Sequence, residues 1–271
     1  MKTRVIVGVI AIPALIIIVF FLPPLALGLL MGAIAACGTW EFFHCTKPGL
    51  DRHIPVVCAF LAAILPISES LGCGAIWSFA AFFLLMLYLF GELMLSFRKE
   101  ETLDFDVVTV GVTAGFAIPY FLTSIVRLAA MGNAFVALPF IVAFASDSGA
   151  YFVGVFLGKH KLVPKLSPKK TIEGSVGGFL ITIVVLIVYG VVLKYLGFHV
   201  RLLIFAVYGL LGSFACQFGD LSFSAIKRIG GIKDYSNLIP GHGGVLDRFD
   251  GMVFVAALME LLLCWVPAFT A

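Results

Sequence analysis

Nine apolar runs, each close to the length of a bilayer crossing, leave this chain few folds other than a bundle of membrane helices. A span needs about 20 predominantly apolar residues. The runs fall at 5–22, 24–43, 54–68, 73–97, 106–127, 133–158, 174–196, 202–226 and 250–268. The longest intervals, 159–173 and 227–249, are too short to hold a soluble domain. Of the 271 residues, 62% are hydrophobic and only 12% charged, against about 25% charged in soluble domains. The expected fold class is an all-α polytopic integral membrane protein of about nine transmembrane helices. Glycine and proline inside the runs do not argue against it, because neighbouring helices can satisfy the freed backbone groups.

The cations orient the bundle. Lys2 and Arg4 followed by an apolar run look like a signal peptide, but Pro23-Pro24 leads straight into another apolar run with no clear cleavage site. The first run therefore reads as a membrane helix. With the N-terminus in the cytoplasm, nine spans put the C-terminus outside. Fifteen of the eighteen Lys and Arg then fall on the cytoplasmic side, and only Arg127, Lys194 and Arg201 fall outside. That bias is what the positive-inside rule expects. It divides the chain into residues 1–105, about four N-terminal spans, and 106–271, about five spans carrying the cytoplasmic loops 159–173 and 227–249. The six cysteines make no CxxC pair and no Cys/His zinc spacing, so they read as reduced structural residues. No internal repeat is evident, which counts against a transporter built from two similar halves.

The polar residues concentrate between Asp220 and Asp250. Four acidic residues, four basic residues, one histidine and five glycines lie within that stretch. Ser213, Gln217, Asp220, Ser224, Lys227 and Arg228 recur every three or four residues, so they share one helical face. Asp220 can serve as the partner of Lys227 or Arg228 in an ion pair, or it can coordinate a hard cation. Asp247 and Asp250 stand three apart at the head of the last run. They can cap a helix N-terminus or supply carboxylates to a divalent ion, and Mg²⁺ typically takes one or two carboxylates plus substrate phosphates. Gly241-His242-Gly243-Gly244 is either a plain turn or a loop whose amides approach phosphate oxygens. Carboxylates, glycine amides and the cations Lys227, Arg228, Lys233 and Arg248 together suit a Mg-nucleotide or pyrophosphate site. GxxxxGK[ST] is absent, so this is not a Walker loop. A second cluster holds Asp147 among small residues and then KHKLVPKLSPKKTIEG, with five lysines. That loop is either basic flanking or a means of capturing phosphate. Glu41, after Trp40, reads as interfacial. Glu92 and Glu260 receive no role.

Ser224-x-x-Lys227-Arg228, then Lys233-Asp234, then Pro240-x-His242-Gly243-Gly244-x-x-Asp247-Arg248-x-Asp250 resembles the signature of the phosphatidate cytidylyltransferases, or CDP-diacylglycerol synthases, with no departure at its defining positions. SDSGAYFVG at 146–154 and SPKKTIEGSVGG at 167–178 are similar to the same family. The resemblance covers roughly the second half of the chain. It implies an integral membrane transferase that joins CTP to phosphatidic acid from the cytoplasmic leaflet, with Mg²⁺ and room for a second cation. It also implies a division of roles. Asp220 and Asp247 hold the metal, with Asp250 as a third ligand. Asp220, Asp247, Lys227, Arg228 and His242 form the catalytic set. Ser224, Lys233, Asp234, Gly243, Gly244 and Arg248 bind substrate, with Asp147, Lys169 and Lys170 as secondary contacts. Membrane lipids are the other partners, no nucleic acid is expected, and a bundle of this size is compatible with a homodimer. The competing expectations are a CTP-dependent lipid kinase, a cytidylyltransferase for another lipid phosphate, and a transporter that buries Asp147, Asp220 and Glu260.

Overall fold

The computed structural model describes residues 13–98, 102–241 and 243–270. Helices dominate. Residues 13–21 are helical (α1). They are followed by α2 (Pro24–Thr46), α3 (His53–Ser70), α4 (Gly74–Ser96), α5 (Phe105–Val112), a π-turn (Thr113–Ala117), α6 (Ile118–Met131), α7 (Asn133–Leu157), α8 (Ile172–Tyr195), α9 (Leu202–Ile229) and α10 (Leu246–Trp265). Among the described residues seven helices are long and apolar enough to cross a membrane, counting α5, the π-turn and α6 as one. They coincide with the second to eighth runs expected from the sequence. Of the first run, residues 5–12 lie outside the described residues and residues 13–21 are helical. The ninth is present as α10, which starts at Leu246 and carries Asp247, Arg248, Asp250 and Glu260; with that charge it is not among the seven.

The contacts divide the chain into two compact units, residues 1–130 with 229–248, and residues 131–228 with 249–271. In the first unit α2 and α3 lie side by side because Gly28 and Gly32 let backbones close up. A Cβ at Gly28 would come 2.9 Å from the Pro66 carbonyl, and one at Gly32 3.0 Å from that of Ala63. Pro24 opens α2 at a position where a missing N–H costs nothing. The π-turn at Thr113–Ala117 disturbs the helical ladder, and the Thr39 hydroxyl on α2, 2.7 Å from the Ala114 carbonyl, supplies a partner there.

In the second unit α7 and α8 cross on small residues. Gly149 meets Gly177 and Ile181, and a Cβ at Gly177 would fall 2.4 Å from the Val153 side chain. Such contacts replace the hydrophobic effect, which does not drive helices together in lipid. The interval 159–173, expected as a loop, is a tight hairpin. Strands β1 (Lys161–Val163) and β2 (Ser167–Thr171) pair antiparallel. Glu173 closes its base by accepting the Lys159 and His160 amides at 3.1 and 3.2 Å and the His160 ring Nδ1 at 2.6 Å. Thr171 then caps α8, its hydroxyl accepting Gly174 N–H at 3.1 Å. At the other end of the unit a short ribbon, β3 (His199–Val200) with β4 (Phe269–Thr270), ties the start of α9 to the chain after α10.

The tightness at Gly177 can be measured. Gly177→Leu should destabilise the protein by about 1–3 kcal/mol, the usual range for overpacking, read as a fall in melting temperature in detergent. Gly91→Ala, where no atom lies within 4 Å of the added methyl, should leave the melting temperature unchanged or slightly raised. Equal melting of Gly177→Leu and the native protein would contradict the close α7–α8 crossing.

Candidate active site

The polar face expected on α9 exists, and in the second unit it runs from a buried core of hydroxyls to a cluster of charges. Ser213 is fully buried and lies 2.9 Å from Ser146 on α7. Gln217 donates to the Ser213 hydroxyl at 3.1 Å and to the Ser175 carbonyl at 3.2 Å, while Ser175 donates back to the Gln217 side chain. These bonds bind α7, α8 and α9 at one level and satisfy polar groups that lipid could not. One turn further, Asp220 is half-buried. It forms an ion pair with Lys170 of the hairpin and accepts from Ser224 at 3.4 Å. Lys227 is only 8% exposed. Arg228 Nε donates to the Leu166 carbonyl in the hairpin turn at 3.4 Å. The hairpin is therefore seated on the end of α9, with Lys170 delivered to Asp220.

Two more carboxylates complete this cluster. A Cβ at Gly219 would fall 2.7 Å from the Asp250 carbonyl, and one at Gly251 2.9 Å from Cys216 Sγ. Glycine at these two places lets α9 and α10 touch backbone to backbone. Asp250 comes within electrostatic reach of Asp220, Lys227 and Asp147. Asp147 accepts a weak hydrogen bond from Cys216 at 3.6 Å. Lys170 and Lys227 offset this concentration of negative charge.

In the first unit the loop before α10 is held by two acids. Asp247 Oδ2 accepts Tyr235 N–H at 2.8 Å and Gly244 N–H at 2.9 Å. Glu41, only 3% exposed on α2, accepts Val245 N–H at 3.0 Å, Leu246 N–H at 2.8 Å and the Ser236 hydroxyl. Glu41 thus caps α10 and is buried within the protein, a role that the sequence did not suggest. A Cβ at Gly244 would meet the Glu41 carboxylate at 2.7 Å, so any side chain there would have to displace that carboxylate. Gly243 sits at φ +88° and bridges to Ile239. That backbone conformation is compatible with both readings of the GHGG segment, a turn and a loop that approaches phosphate. His242 lies outside the described residues. Asp234, Lys233 and Arg248, with Lys169 of the second unit, are exposed, and among the described residues none of these four makes an ion pair.

The oxygen-rich donor set suits a hard cation. Among the described residues no group of three His, Cys, Asp or Glu side chains could hold a metal by itself. Mg²⁺ usually keeps waters and substrate phosphates in its shell and takes only one or two carboxylates, so Asp220 and its acidic neighbours fit a metal that arrives with a nucleotide.

Residues 2–266 match the Cytidylyltransferase family. A similar curated relative is the phosphatidate cytidylyltransferase of Bacillus subtilis (strain 168), 33% identical over 275 residues that span 97% of each chain. The phosphatidate cytidylyltransferases of Staphylococcus saprophyticus subsp. saprophyticus and Staphylococcus haemolyticus are 40% and 41% identical over 132 residues, 49% of this chain and 50% of theirs.

The grip of Glu41 on the loop has a direct readout. Glu41→Ala leaves two helix-start amides without their acceptor, a cost of about 1–3 kcal/mol. Amide hydrogen exchange over 235–246 should then speed up while the α7–α8 segment keeps its protection. Unchanged exchange in that loop would rule out the capping role.

Proposed function

The chain belongs to the Cytidylyltransferase family, and we propose that it transfers the cytidylyl group of CTP to phosphatidic acid, giving CDP-diacylglycerol and pyrophosphate. What carries this reading is the match over residues 2–266 together with a charged cluster on α9 in which Asp220 meets Lys170. A phosphate oxygen of phosphatidic acid attacks the α-phosphorus of CTP. One P–O bond forms as the bond to the β-phosphate bridging oxygen breaks, and pyrophosphate leaves with that electron pair. The nucleophile is already ionised, so no strong general base is required. What the reaction needs is alignment and neutralisation of charge.

The residues divide this work by chemistry. Of the carboxylates Asp220, Asp247 and Asp250, one or two would hold Mg²⁺, which when bound would neutralise charge on the α-phosphate and the leaving pyrophosphate. Lys227 and Arg228, on the turns of α9 after Asp220, orient phosphate oxygens, and Lys170 moves between Asp220 and an incoming phosphate. In the first unit Gly243 and Gly244 bring main chain close to the nucleotide, with His242, Lys233 and Arg248 beside them. Asp247 also fixes the loop through Tyr235 and Gly244, so its loss would loosen both metal and loop. The weighting of cations towards one side of the spans supports a cytoplasmic site, where CTP is available and the lipid enters sideways from the adjacent leaflet.

Purified protein given phosphatidic acid, CTP and Mg²⁺ should release pyrophosphate and form a cytidine-bearing lipid. CDP together with a newly phosphorylated lipid would instead identify a CTP-dependent kinase. Asp220→Asn and Asp247→Asn should each abolish turnover with the protein still folded in detergent, while Arg201→Ala, at the other end of α9, should keep near-native rates. Native-like activity in either aspartate variant would remove that residue from the metal site.

A further inference from the structure

We infer that the end of the second unit remote from Asp220 carries a binding site for the phosphate of an anionic phospholipid headgroup. A cavity of about 320 Å³ opens there, lined by Lys194, Phe198, His199, Arg201, Pro267 and Phe269 among others. Three basic side chains face it, and its lining contains no Asp or Glu. Among the described residues none of the three is paired with a carboxylate. Arg201 lies 19 positions before Asp220 on one helix axis, about 28 Å at 1.5 Å per residue. This anion site cannot belong to the reaction centre.

The frame of the cavity is prebuilt. The β3–β4 ribbon pairs His199 with Thr270 and Val200 with Phe269, and Arg201 N–H donates to the Ala268 carbonyl at 2.9 Å. Phe269 is 2% exposed. It stacks on Phe135 at 4.5 Å and on Phe205 at 5.7 Å, and meets Phe198 edge-on. Tyr208 fixes the strand approach by donating to the Val266 carbonyl at 2.9 Å. The positive end of α9, which begins at Leu202, adds its dipole to the cations. A guanidinium and two further donors around a helix N-terminus form a receptor for a phosphate ester.

The surroundings indicate where that phosphate comes from. Tyr195 and Trp265, at the ends of α8 and α10, are 88% and 75% exposed, as aromatic residues at the membrane–water boundary are. Leu196 and Leu203 beside them are exposed too and offer an apolar seat to acyl chains. The cavity thus lies at headgroup depth with a greasy approach, a geometry for lipid and not for a free anion. The cation bias sharpens the point. Only three Lys or Arg fall on this side of the spans, and two of them, Lys194 and Arg201, line this one cavity.

The test uses the full-length protein in mild detergent, titrated with short-chain phosphatidylglycerol, phosphatidylcholine or inorganic phosphate, and read by thermal melting and by native mass spectrometry of retained lipid. Phosphatidylglycerol should bind and raise the melting temperature. Phosphatidylcholine should bind about tenfold more weakly, and K194Q/R201Q should weaken phosphatidylglycerol binding about tenfold or more, the scale of one or two charge-assisted hydrogen bonds. Lys194→Arg, which keeps the charge, should bind like the native protein. If K194Q/R201Q does not fold, H199Q and the native comparison between the two lipids decide. Equal binding of both lipids, unchanged binding in every charge-removing variant, or equal stabilisation by inorganic phosphate would each overturn the proposal. Because pyrophosphate release is followed separately, a failure here is distinguishable from a failure of the cytidylyltransferase reading.

Discussion

Hydrocarbon offers no hydrogen bonds, so every backbone amide and carbonyl at membrane depth has to find its partner inside the protein. Long helices meet that constraint without help, which is why they make up most of this chain. The departures from regular helix are where specific side chains have to intervene. Thr39 stands against the π-turn carbonyl of Ala114. Glu173 receives the amides at the base of the β1–β2 hairpin. Glu41 and Asp247 between them receive four amides of the loop that leads into α10. A buried carboxylate is expensive to desolvate, and Glu41 offsets that cost by accepting from two amides and a hydroxyl at once.

The same logic explains how charge survives on α9. Ser146, Ser175, Ser213 and Gln217 form a closed network one turn before Asp220, so the helix becomes polar by steps. Asp147, Asp220 and Asp250 would repel one another if left alone; Lys170 and Lys227 hold them together. Removing one partner from such a group costs far more than the group contributes to stability. Arrangements of this kind persist in membrane proteins for what they bind, and phosphate transfer with a divalent ion is chemistry that needs both signs of charge close together.

Much of the site could be read from residue spacing. The 3.6-residue repeat from Ser213 to Lys227 put Asp220 on a polar face, and the Asp247/Asp250 pair stood out at the head of an apolar run. Glu41 was missed because it lies 195 to 205 residues from its partners and resembles any acid near a helix end. A lone Glu inside an otherwise apolar span was the available signal. The Lys170–Asp220 pair was out of reach for a related reason. KLVPKLSPKKT reads as basic loop, and only the turn at 164–166 and the Glu173 clasp make it a hairpin that presents one of its lysines to α9. The β3–β4 ribbon, two residues a side, is too short to leave a periodicity.

Sequence alone determined the class of this protein, because hydropathy over about 20 residues is a local property that no tertiary contact can reverse. It also determined the kind of chemistry, since carboxylates, cations and glycines at fixed spacing on helix ends are local as well. The tertiary structure decided which of those groups are shared and which are spoken for. Asp247 spends an oxygen on its own loop, Lys170 reaches Asp220 from another element, and Lys194, His199 and Arg201 converge on one cavity. Those outcomes depend on contacts between segments far apart in the chain, made possible where glycines such as Gly219 and Gly251 let two backbones meet.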